Sequence, residues 1–411
     1  MAEVSAFEGI RYRPEVAPLE AVLCPPYDVI SPELQLELYG RATQNMVRIE
    51  LGRDFEGDVP GQQDRYTRAR GHLDAWRQLE VLVRDEAPSL YLHRHSFTNP
   101  DSGAPVERLG CFAGVQPVPH DRGEVLRHEL TLSAPRSDRL QLLRATELQT
   151  SPVFLLYEGA AEVTGLLTRL SASMPPAAEG VVSGELGPER HCLWRVSDPE
   201  VLERISGSLS RSRLYIADGH HRYETALGLG LRRVLALLAP LQDAGNVILP
   251  THRVVDRCPS DAATLSRELG ARGWTVEVVF DLEAARGRLR QLRAGHHAFA
   301  LADGATITVA ARPRDDSGDA RQRLDVAVLE SEILGPLLRI SPDDIEARIS
   351  YSRNPAEALS RAQRNQGVAV LLNPTGIEEL AAVARAGLAM PQKSTYFYPK
   401  VPAGLVMMEL E

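Results

Sequence analysis

Residues 213–227 of this 411-residue chain, RLYIADGHHRYETAL, join an apolar stretch to a helical one through a polar corner. The run from Leu214 to Ala217 is typical of a buried β-strand, and the residues after Gly219 have the composition of a helix. A strand that leads directly into a helix predicts an α/β domain. Because the first turn of a helix has unbonded N–H groups at the positive end of its dipole, the corner is predicted to bind an anion, most commonly phosphate.

The five residues at this corner each suit phosphate chemistry. Gly219 allows close approach of the backbone to a ligand, and Arg222 can donate two hydrogen bonds to phosphate oxygens. His220 or His221 can donate to phosphate or carry a proton near neutral pH. Asp218 can orient an imidazole, bind Mg²⁺ or accept a proton from an attacking hydroxyl. The alternative is a capped helix whose histidines are satisfied by packing.

Composition narrows the class of protein. The net charge of −9 argues against non-specific binding to nucleic acid or to anionic membranes, although a local basic site stays open. The N-terminal residues do not resemble a secretory signal, and no apolar run approaches the ~20 residues that span a bilayer. The cysteines are widely spaced without a CxxC pair, which predicts neither disulfides nor structural zinc and favours the reducing cytoplasm. They are Cys24, Cys111, Cys192 and Cys258.

Lysine is nearly absent from the chain. Only two of its 46 basic residues are lysines, Lys393 and Lys400, and both stand in the stretch MPQKSTYFYPK. An ammonium group differs from a guanidinium in shape and hydration, so a special role is predicted, above all for Lys393. Lys393, Ser394 and Thr395 resemble a phosphate-binding trio, but the glycine loop of a P-loop does not precede them.

A second polar cluster lies in RHELTLSAPRSDRL. His128 and Glu129 are candidates for a general base, followed by the hydroxyl of Thr131. Arg136 and Arg139 are candidates for further contacts to phosphate. The alternative is a solvated loop that caps a helix over residues 138–145.

A third cluster, LPTHRVV, interrupts an apolar strand with Thr251, His252 and Arg253. Polar groups inside such a strand need partners, either a ligand or the surrounding protein. Weaker candidates, which turn chemistry alone would explain, are Tyr27, Asp28 and Asn373.

The chain is long enough for two compact units. We predict a phosphate-binding core domain over 1–256 and a smaller α/β domain over 257–340, where the sequence texture changes. The segment 341–411 is predicted to return to the core and to contribute MPQKSTYFYPK. Within the second domain the pair His296–His297 stands at a predicted helix-to-strand turn, and we interpret it as structural.

Several stretches together resemble the bacterial and archaeal family called domain of unknown function 1015. They are CPPYDVI, HELT…DRL, YIADGHHRYETA, LPTHR and MPQKSTYFYPK, and they span nearly the whole chain.

The stretch DGHHRYETA alone resembles the phosphate-binding corner of the ParB/sulfiredoxin-like superfamily, which includes sulfiredoxins, CTP-binding ParB-type proteins and a free-serine kinase that uses ADP. This resemblance implies a ParB/sulfiredoxin-like core. The predicted fold class is therefore α/β with a mixed α+β sheet, accompanied by the second, smaller α/β domain that the sequence texture indicates. It implies that residues 219–222 cradle phosphate beside Asp218. The cysteine of sulfiredoxins is missing from this turn, which disfavours peroxiredoxin repair. The acidity of the chain, with no evident helix-turn-helix, disfavours a partition protein.

The leading hypothesis is a cytoplasmic enzyme that handles a phosphorylated small molecule by phosphoryl transfer or phosphoester hydrolysis. Positive charge would come from Arg222, Arg253 and Lys393, phosphate contact from His221, and the base from Asp218, His128 or Glu129. The superfamily's kinase suggests serine or phosphoserine as substrate.

Two alternatives stay open. One is a non-catalytic nucleotide-binding switch. The other is a metal-dependent hydrolase, which lacks HExxH spacing and would use His128, Glu129, Asp218, His220 and His252.

The expected cofactors are a nucleotide (ADP or ATP) and Mg²⁺, the latter through Asp218, and we expect no haem, flavin or structural zinc. A homo-oligomer is compatible with the sequence. The sequence does not decide the phosphate donor, the substrate, or whether the separate motifs share one pocket.

Overall fold

The apolar residues before Asp218 form a strand within a mixed β-sheet, in a computed structural model of the chain. The structure describes residues 1–130, 133–315, 317–341 and 344–411, and within these it leaves the side chains of 133–136 and 346 undescribed.

Strands and helices are numbered in chain order. The strands are β1 (Val4–Ser5), β2 (Ile10–Tyr12), β3 (Leu82–Arg84), β4 (Leu90–Thr98), β5 (Pro105–Val115), β6 (Val125–Leu126), β7 (Leu148–Gln149), β8 (Val153–Glu158), β9 (Ala178–Gly184), β10 (Gly187–Val196), β11 (Arg213–Asp218), β12 (Val234–Pro240), β13 (Val247–Ile248), β14 (His252–Val255), β15 (Thr275–Val278), β16 (His296–Ala302), β17 (Ile307–Pro313), β18 (Ile349–Ser352), β19 (Val368–Leu372), β20 (Phe397–Tyr398) and β21 (Met408–Glu409). The helices are α1 (Leu19–Val22), α2 (Pro32–Arg41), α3 (Val47–Glu50), α4 (Arg65–Gln78), α5 (Ser133–Thr146), α6 (Ala161–Ser173), α7 (Pro199–Ser210), α8 (His220–Gly228), α9 (Ala262–Ala271), α10 (Leu282–Leu292), α11 (Asp325–Leu329), α12 (Ile345–Arg348), α13 (Pro355–Arg364) and α14 (Ile377–Arg385).

The chain divides into two compact units. Unit 1 comprises residues 1–247 and 399–411, and unit 2 comprises residues 248–398. This division differs from the predicted one. Residues 248–256 belong to unit 2 because β14 pairs with β18 and β19, and residues 341–398 stay there for the same reason. Only residues 399–411 return to unit 1, where the N–H of Ala403 donates to the carbonyl of Cys24 at 2.8 Å.

The main sheet of unit 1 has nine strands in the order β6-β11-β8-β12-β5-β4-β10-β9, with β1 beside β5. Strand β11 is parallel to β6 and antiparallel to β8, whereas β12 is parallel to β8. The predicted mixed α/β class is therefore confirmed.

One face of this sheet carries an apolar core. Because successive strand residues point to opposite faces, Leu214 and Ile216 share that face, where they join residues of α6, α7 and α8. A second core is formed by residues of the four helices α2, α3, α4 and α5, of strands β2 and β3, and of the returning C-terminal segment, such as Met407. Burying about 100 Å² of apolar side chain stabilises a fold by roughly 2.5 kcal/mol. The first core, which includes Tyr223 and Ala226 of α8, therefore holds the corner after β11 in place.

Unit 2 is built on a six-stranded sheet in the order β15-β17-β16-β19-β14-β18, in which neighbouring strands are antiparallel. Residues of α10 and α13 pack on it, with Leu289, Ala358 and Ala362 among the buried ones.

Candidate functional site

The backbone at the end of β11 explains why a glycine follows Asp218. Gly219 is the N-cap of α8 and has φ 87° and ψ 28°, a left-handed conformation that disfavours other residues. A Cβ atom there would also lie 3.1 Å from the Arg222 guanidinium. The pairing register of β11 with β8 shifts between Ile216 and Asp218, and such an irregularity re-aims the side chain that follows it. Because Gly219 has no side chain to cap α8, the first N–H groups of the helix receive no cap from it.

The carboxylate of Asp218 is shared by two cations. Its Oδ2 accepts a hydrogen bond from Nη2 of Arg222 at 2.8 Å, and its Oδ1 accepts one from Nζ of Lys400. The three side chains are 18%, 11% and 10% exposed, in the order Asp218, Arg222, Lys400. Although burial acts in the opposite direction, Lys400 and Arg222 hold the pKa of Asp218 well below its usual range. The corner therefore has more positive than negative charge at the start of a helix.

A half-open pocket adjoins this corner. Arg222 lies at its wall, where Nη1 donates to the carbonyl of Pro152, and Arg139 of α5 lies at the wall as well. The empty volume, including the part open to solvent, is about 440 Å³. The remaining lining residues are Leu142, Leu143, Leu148, Gln149, Thr150, Ser151, Thr225, Ala226 and Val234. The pocket thus combines an apolar wall with two guanidinium groups.

Two histidines beside the corner are buried and neutral at neutral pH. The rings of His128 and His220 meet edge to face with their centroids 4.6 Å apart. Burial lowers the pKa of His128 to about 4, although a hydrogen bond with the backbone of Ile216 raises it, and burial lowers the pKa of His220 well below its usual value. His221 is half-buried, and its carbonyl accepts from the hydroxyl of Thr225 at 2.7 Å.

The second sequence cluster is brought only partly to this place. His128 lies beside His220, and Glu129 is half-buried in the same loop. Thr131 and the side chain of Arg136 fall outside the described residues. The helix of the alternative interpretation, over 138–145, is present but begins earlier, at Ser133, so a cap directly before residue 138 is wrong.

Arg139 is held by carboxylates on both sides. Its Nη1 lies 3.3 Å from Oε1 of Glu50, and its Nε and Nη2 donate to Oδ2 of Asp138 at 2.8 and 2.5 Å. The guanidinium carbon lies 3.9 Å above the ring of Tyr27. Burial of Tyr27 beside this guanidinium raises the pKa of its hydroxyl to about 12. The side chain of Asp28, the next residue, is exposed. Arg139 therefore reaches the pocket already neutralised, unlike the pair on Asp218.

Glu50 is a site residue that the sequence does not reveal. It is 0% exposed at the end of α3, and its carboxylate accepts from Thr150 at 2.5 Å and from Ser151 at 3.1 Å. The pattern around it, NMVRIELG, is typical of an amphipathic helix with an exposed glutamate. Because Thr150 and Ser151 line the pocket, Glu50 fixes the orientation of their hydroxyls.

The two lysines have different places. Lys400 of unit 1 contacts Asp218, whereas Lys393 of unit 2 is exposed with φ 56°. Lys400 was a weaker candidate in the sequence than Lys393, and the scarcity of lysine was the signal that pointed to it.

The polar groups of LPTHRVV bond largely to backbone in unit 2. Arg253 donates through Nη1 to the carbonyl of Thr251 and lies 3.4 Å, through Nη2, from the carbonyls of Gln392 and Lys393. Its guanidinium carbon lies 5.5 Å from the ring centroid of Tyr351. This pattern supports the packing alternative, in which Arg253 secures the loop at 392–393.

The other candidates of unit 2 show similar bonds. The N–H of Leu372 donates to Nδ1 of His252 at 3.4 Å, Asn373 donates to the carbonyl of Leu289 at 2.9 Å, and Ser394 donates to the carbonyl of Pro391 at 2.5 Å. Thr395 is half-buried.

Metal-type ligands meet elsewhere than the sequence suggests. Among the described residues, one set brings its ligand atoms within 4.8 Å of one another: His95, Glu189 and His191. The five residues of the predicted metal-dependent hydrolase, all of them described by the structure, do not form such a set. None of the described helices has the length and apolar character needed to cross a bilayer.

The solved structures that match this chain are distant from it in sequence. A conserved hypothetical protein from Pyrococcus furiosus is 14% identical, covers 74% of this chain and 95% of its own length, and has a TM-score of 0.36. A free serine kinase in complex with AMP is 14% identical, covers 74% of this chain and 91% of its own length, and has a TM-score of 0.36. SbnI with a C-terminal truncation, from Staphylococcus aureus, is 15% identical, covers 71% of this chain and 84% of its own length, and has a TM-score of 0.36. Similarity this loose transfers neither residues nor activity to the present chain.

Among curated proteins, none matches this chain. A family model described as "Protein of unknown function (DUF1015)" matches residues 4–327, which include the strand–helix corner and the HELT and LPTHR stretches. The resemblance carried by those motifs is thus confirmed, and the chain belongs to the DUF1015 family.

Proposed function

We propose that unit 1 binds a phosphorylated small molecule at the corner between β11 and α8, and that it transfers or hydrolyses the phosphoryl group. The observation that carries this proposal is the sharing of one carboxylate, Asp218, by Arg222 and Lys400 at the start of a helix.

The charge balance favours a dianion. Two cations and the positive end of the α8 dipole face one carboxylate, so a phosphate gains more from them than a neutral ligand does. Both cations are at most 11% exposed, and electrostatic attraction is stronger where water is excluded. Phosphoryl transfer requires such fixed positive charge on the equatorial oxygens.

The proton chemistry falls to groups other than Asp218. A carboxylate whose pKa is held well below its usual range is a weak base, so Asp218 holds Arg222 and Lys400 in position. Burial lowers the pKa of His128 to about 4 and that of His220 well below its usual value, so by the same criterion both are weak bases at neutral pH. We therefore retain Glu129, in the loop of His128, as the first candidate base to test.

Magnesium does not fit Asp218 in this arrangement. Each carboxylate oxygen of Asp218 is hydrogen-bonded to a cation, so neither is presented to a second positive ion. Lys400 and Arg222 would supply the charge neutralisation that Mg²⁺ supplies elsewhere.

The pocket beside Arg222 would take the organic part of the ligand. Its apolar wall suits a nucleotide base or an aliphatic group, and the hydroxyls of Thr150 and Ser151 suit a polar substituent. A nucleotide such as ADP or ATP, and serine or phosphoserine, are the ligands that the motif resemblance implies, and we retain them as the first compounds to test.

Ligand-induced stabilisation tests this proposal. Purified protein is melted with inorganic phosphate, phosphoserine and nucleotides, with and without Mg²⁺. A ligand at 100 times its Kd stabilises the fold by about 2.7 kcal/mol. We expect this stabilisation in the wild type and in Arg190→Gln, a substitution of an exposed strand residue, and its loss in Arg222→Gln and Lys400→Gln.

Equal stabilisation of the folded Arg222→Gln and Lys400→Gln proteins by the same ligand would refute the site. Turnover of that ligand, followed by ³¹P NMR, separates an enzyme from the alternative of a non-catalytic nucleotide switch, which binds without consuming its ligand.

A further inference from the structure

A cluster of buried polar side chains lies on strands β4, β5 and β10 of unit 1. Arg108, His95 and His191 stand side by side across these strands in the pairing register, and Glu189 lies nearby on β10. The four residues are between 0% and 7% exposed. Buried charge and imidazole are costly unless partners compensate for lost water, so each contact in the cluster has an energetic consequence.

Arg108 is the cation of this cluster. Its Nη2 donates to Nδ1 of His95 at 3.1 Å and to the carbonyl of Pro399 at 3.0 Å, and its guanidinium carbon lies 4.7 Å from the ring centroid of Phe154. Burial lowers the pKa of Arg108 to about 10, so it is charged at neutral pH.

The protonation of His95 follows from its neighbours. A guanidinium only donates, so Nδ1 of His95 must accept, and the neutral ring then carries its proton on Nε2. That nitrogen lies 2.9 Å from Oε2 of Glu189 and donates to it. Because Nε2 then has no lone pair to offer, a hydrogen bond rather than a metal ion joins His95 to Glu189. His191 instead bonds through Nδ1 to Nε2 of His93 at 3.0 Å.

The chain of contacts continues to Lys400. The carbonyl of Pro399 and the N–H of Lys400 belong to one planar peptide group, so a hydrogen bond to that carbonyl fixes the plane from which Lys400 extends. The Nζ of Lys400 then reaches Oδ1 of Asp218. Against the effect of burial, Glu189, Asp243 and, to a smaller extent, Asp218 raise the pKa of Arg108, so Arg108 also interacts electrostatically with the corner.

We propose that Arg108 is a positioning residue that holds Lys400 against Asp218, and that His95, hydrogen-bonded to Glu189, holds Arg108 in turn. The role of Lys400 as a phosphate ligand rests on the proposed function, but its placement by Arg108 does not. The buried polar cluster on the sheet is then part of the candidate site, although its members are not among the residues that line the pocket.

The two lysines make this proposal directly testable. Intact protein is acetylated with a limiting amine reagent, and the rates at Lys400 and Lys393 are read separately by peptide mass spectrometry. Lys393 is exposed and serves as the internal reference. In the wild type, the contact between Lys400 and Asp218 must break before the amine can react. We therefore expect the acetylation rate at Lys400 to be at least about tenfold below that at Lys393.

Arg108→Gln should release Lys400. We expect its acetylation to speed up by about tenfold while the Lys393 rate is unchanged, because local opening no longer breaks the bond to the Pro399 carbonyl. Arg190→Gln, on β10, which β4 separates from the strand of Arg108, changes a side chain that is 57% exposed and should leave both rates as in the wild type. Continued protection of Lys400 in a folded Arg108→Gln protein would overturn the proposal.

Substitutions of His95 decide the matter if Arg108→Gln does not fold. Gln can accept from Arg108 and donate to Glu189, so His95→Gln should keep Lys400 protected, whereas His95→Leu should expose it. Equal rates in the two variants would refute the positioning role. Phosphate binding is measured in parallel: exposure of Lys400 without any phosphate binding by the wild type would leave the positioning role standing and reject the proposed function.

Discussion

Each unit contains a pair of adjacent histidines near a carboxylate and a guanidinium, yet only one pair lies at a candidate site. In unit 1, the pair His220–His221 opens a helix beside Asp218. In unit 2, the pair His296–His297 opens strand β16, and Nδ1 of His297 lies 2.8 Å from Oδ1 of Asp325, which also lies 3.1 Å from Nη2 of Arg314. The residue types are nearly the same in the two places.

The difference lies in the balance of charge. In unit 2, Arg314 also contacts Glu379 at 3.0 Å, so one guanidinium faces two carboxylates. In unit 1, Asp218 faces both Arg222 and Lys400. In the first arrangement one cation is shared by two carboxylates, whereas in the second one carboxylate is shared by two cations, and the proposed phosphate site rests on this difference. From this comparison we predict that the pair in unit 1 belongs to an anion site and that the pair in unit 2 is structural.

The largest expected effect comes from removing the shared carboxylate. Asp218→Asn leaves two largely buried cations without their common partner and should lower the free energy of unfolding by about 3 kcal/mol. Asp325→Asn should cost about 1–2 kcal/mol, since Arg314 keeps Glu379. Urea unfolding of both variants beside the wild type measures the difference.

Added phosphate sharpens this contrast. A dianion can replace the lost carboxylate of Asp218, so millimolar phosphate should restore stability to Asp218→Asn and not to Asp325→Asn. Equal losses in both variants, without rescue of either by phosphate, would show that the excess of cations in unit 1 has no energetic consequence.

The pH dependence of stability should also separate the corner of unit 1 from an ordinary helix start. The pKa of His128 is about 4 in the folded protein and near 6.5 in the unfolded chain. Between these values the unfolded chain binds the additional proton, so stability falls as pH decreases through this window. Lowering the pH from 7 to 5 should therefore cost about 2 kcal/mol through His128 alone.

His128→Gln removes this proton uptake and should lose correspondingly less stability over the same interval, as urea unfolding at the two pH values would show. Arg190→Gln is the control and should keep the wild-type slope. A His128→Gln protein with the full wild-type slope would mean that His128 is not held neutral in the folded state.

The sequence predicts the corner itself because its determinants are local. An apolar run, a glycine and a helical pattern within residues 213–227 are sufficient to place Asp218 at a strand end and Arg222 one turn into a helix. The partners that complete the site are not local. Lys400 is 182 positions from Asp218 in the chain, and Arg108 is 291 positions from Pro399.

Distant partners leave only indirect traces in a single sequence. The scarcity of lysine indicated MPQKSTYFYPK, but the sequence favoured Lys393 over Lys400. The boundary after residue 398, which places the two lysines in different units, is not visible in the sequence. Glu50 left no trace, because a glutamate on a short amphipathic helix is ordinarily exposed. The domain boundaries were displaced for a related reason: strand pairing between residues 252–255 and 349–352 is not visible in local patterns.

The smallest expected effect concerns the glycine that directly precedes each histidine pair. Gly219 adopts φ 87° with the Arg222 guanidinium 3.1 Å from the position of a Cβ atom, whereas Gly295, just before His296, has no such φ and open space around it. Gly219→Ala should lower the free energy of unfolding by about 1–2 kcal/mol through backbone strain, and it should weaken phosphate binding because the Arg222 guanidinium must shift. Gly295→Ala should be neutral or stabilising by up to about 1 kcal/mol, because alanine restricts the unfolded chain. Since both changes add one methyl group before a histidine pair, a destabilisation of equal size would show that the left-handed turn at Gly219 is not what sets the corner of unit 1 apart.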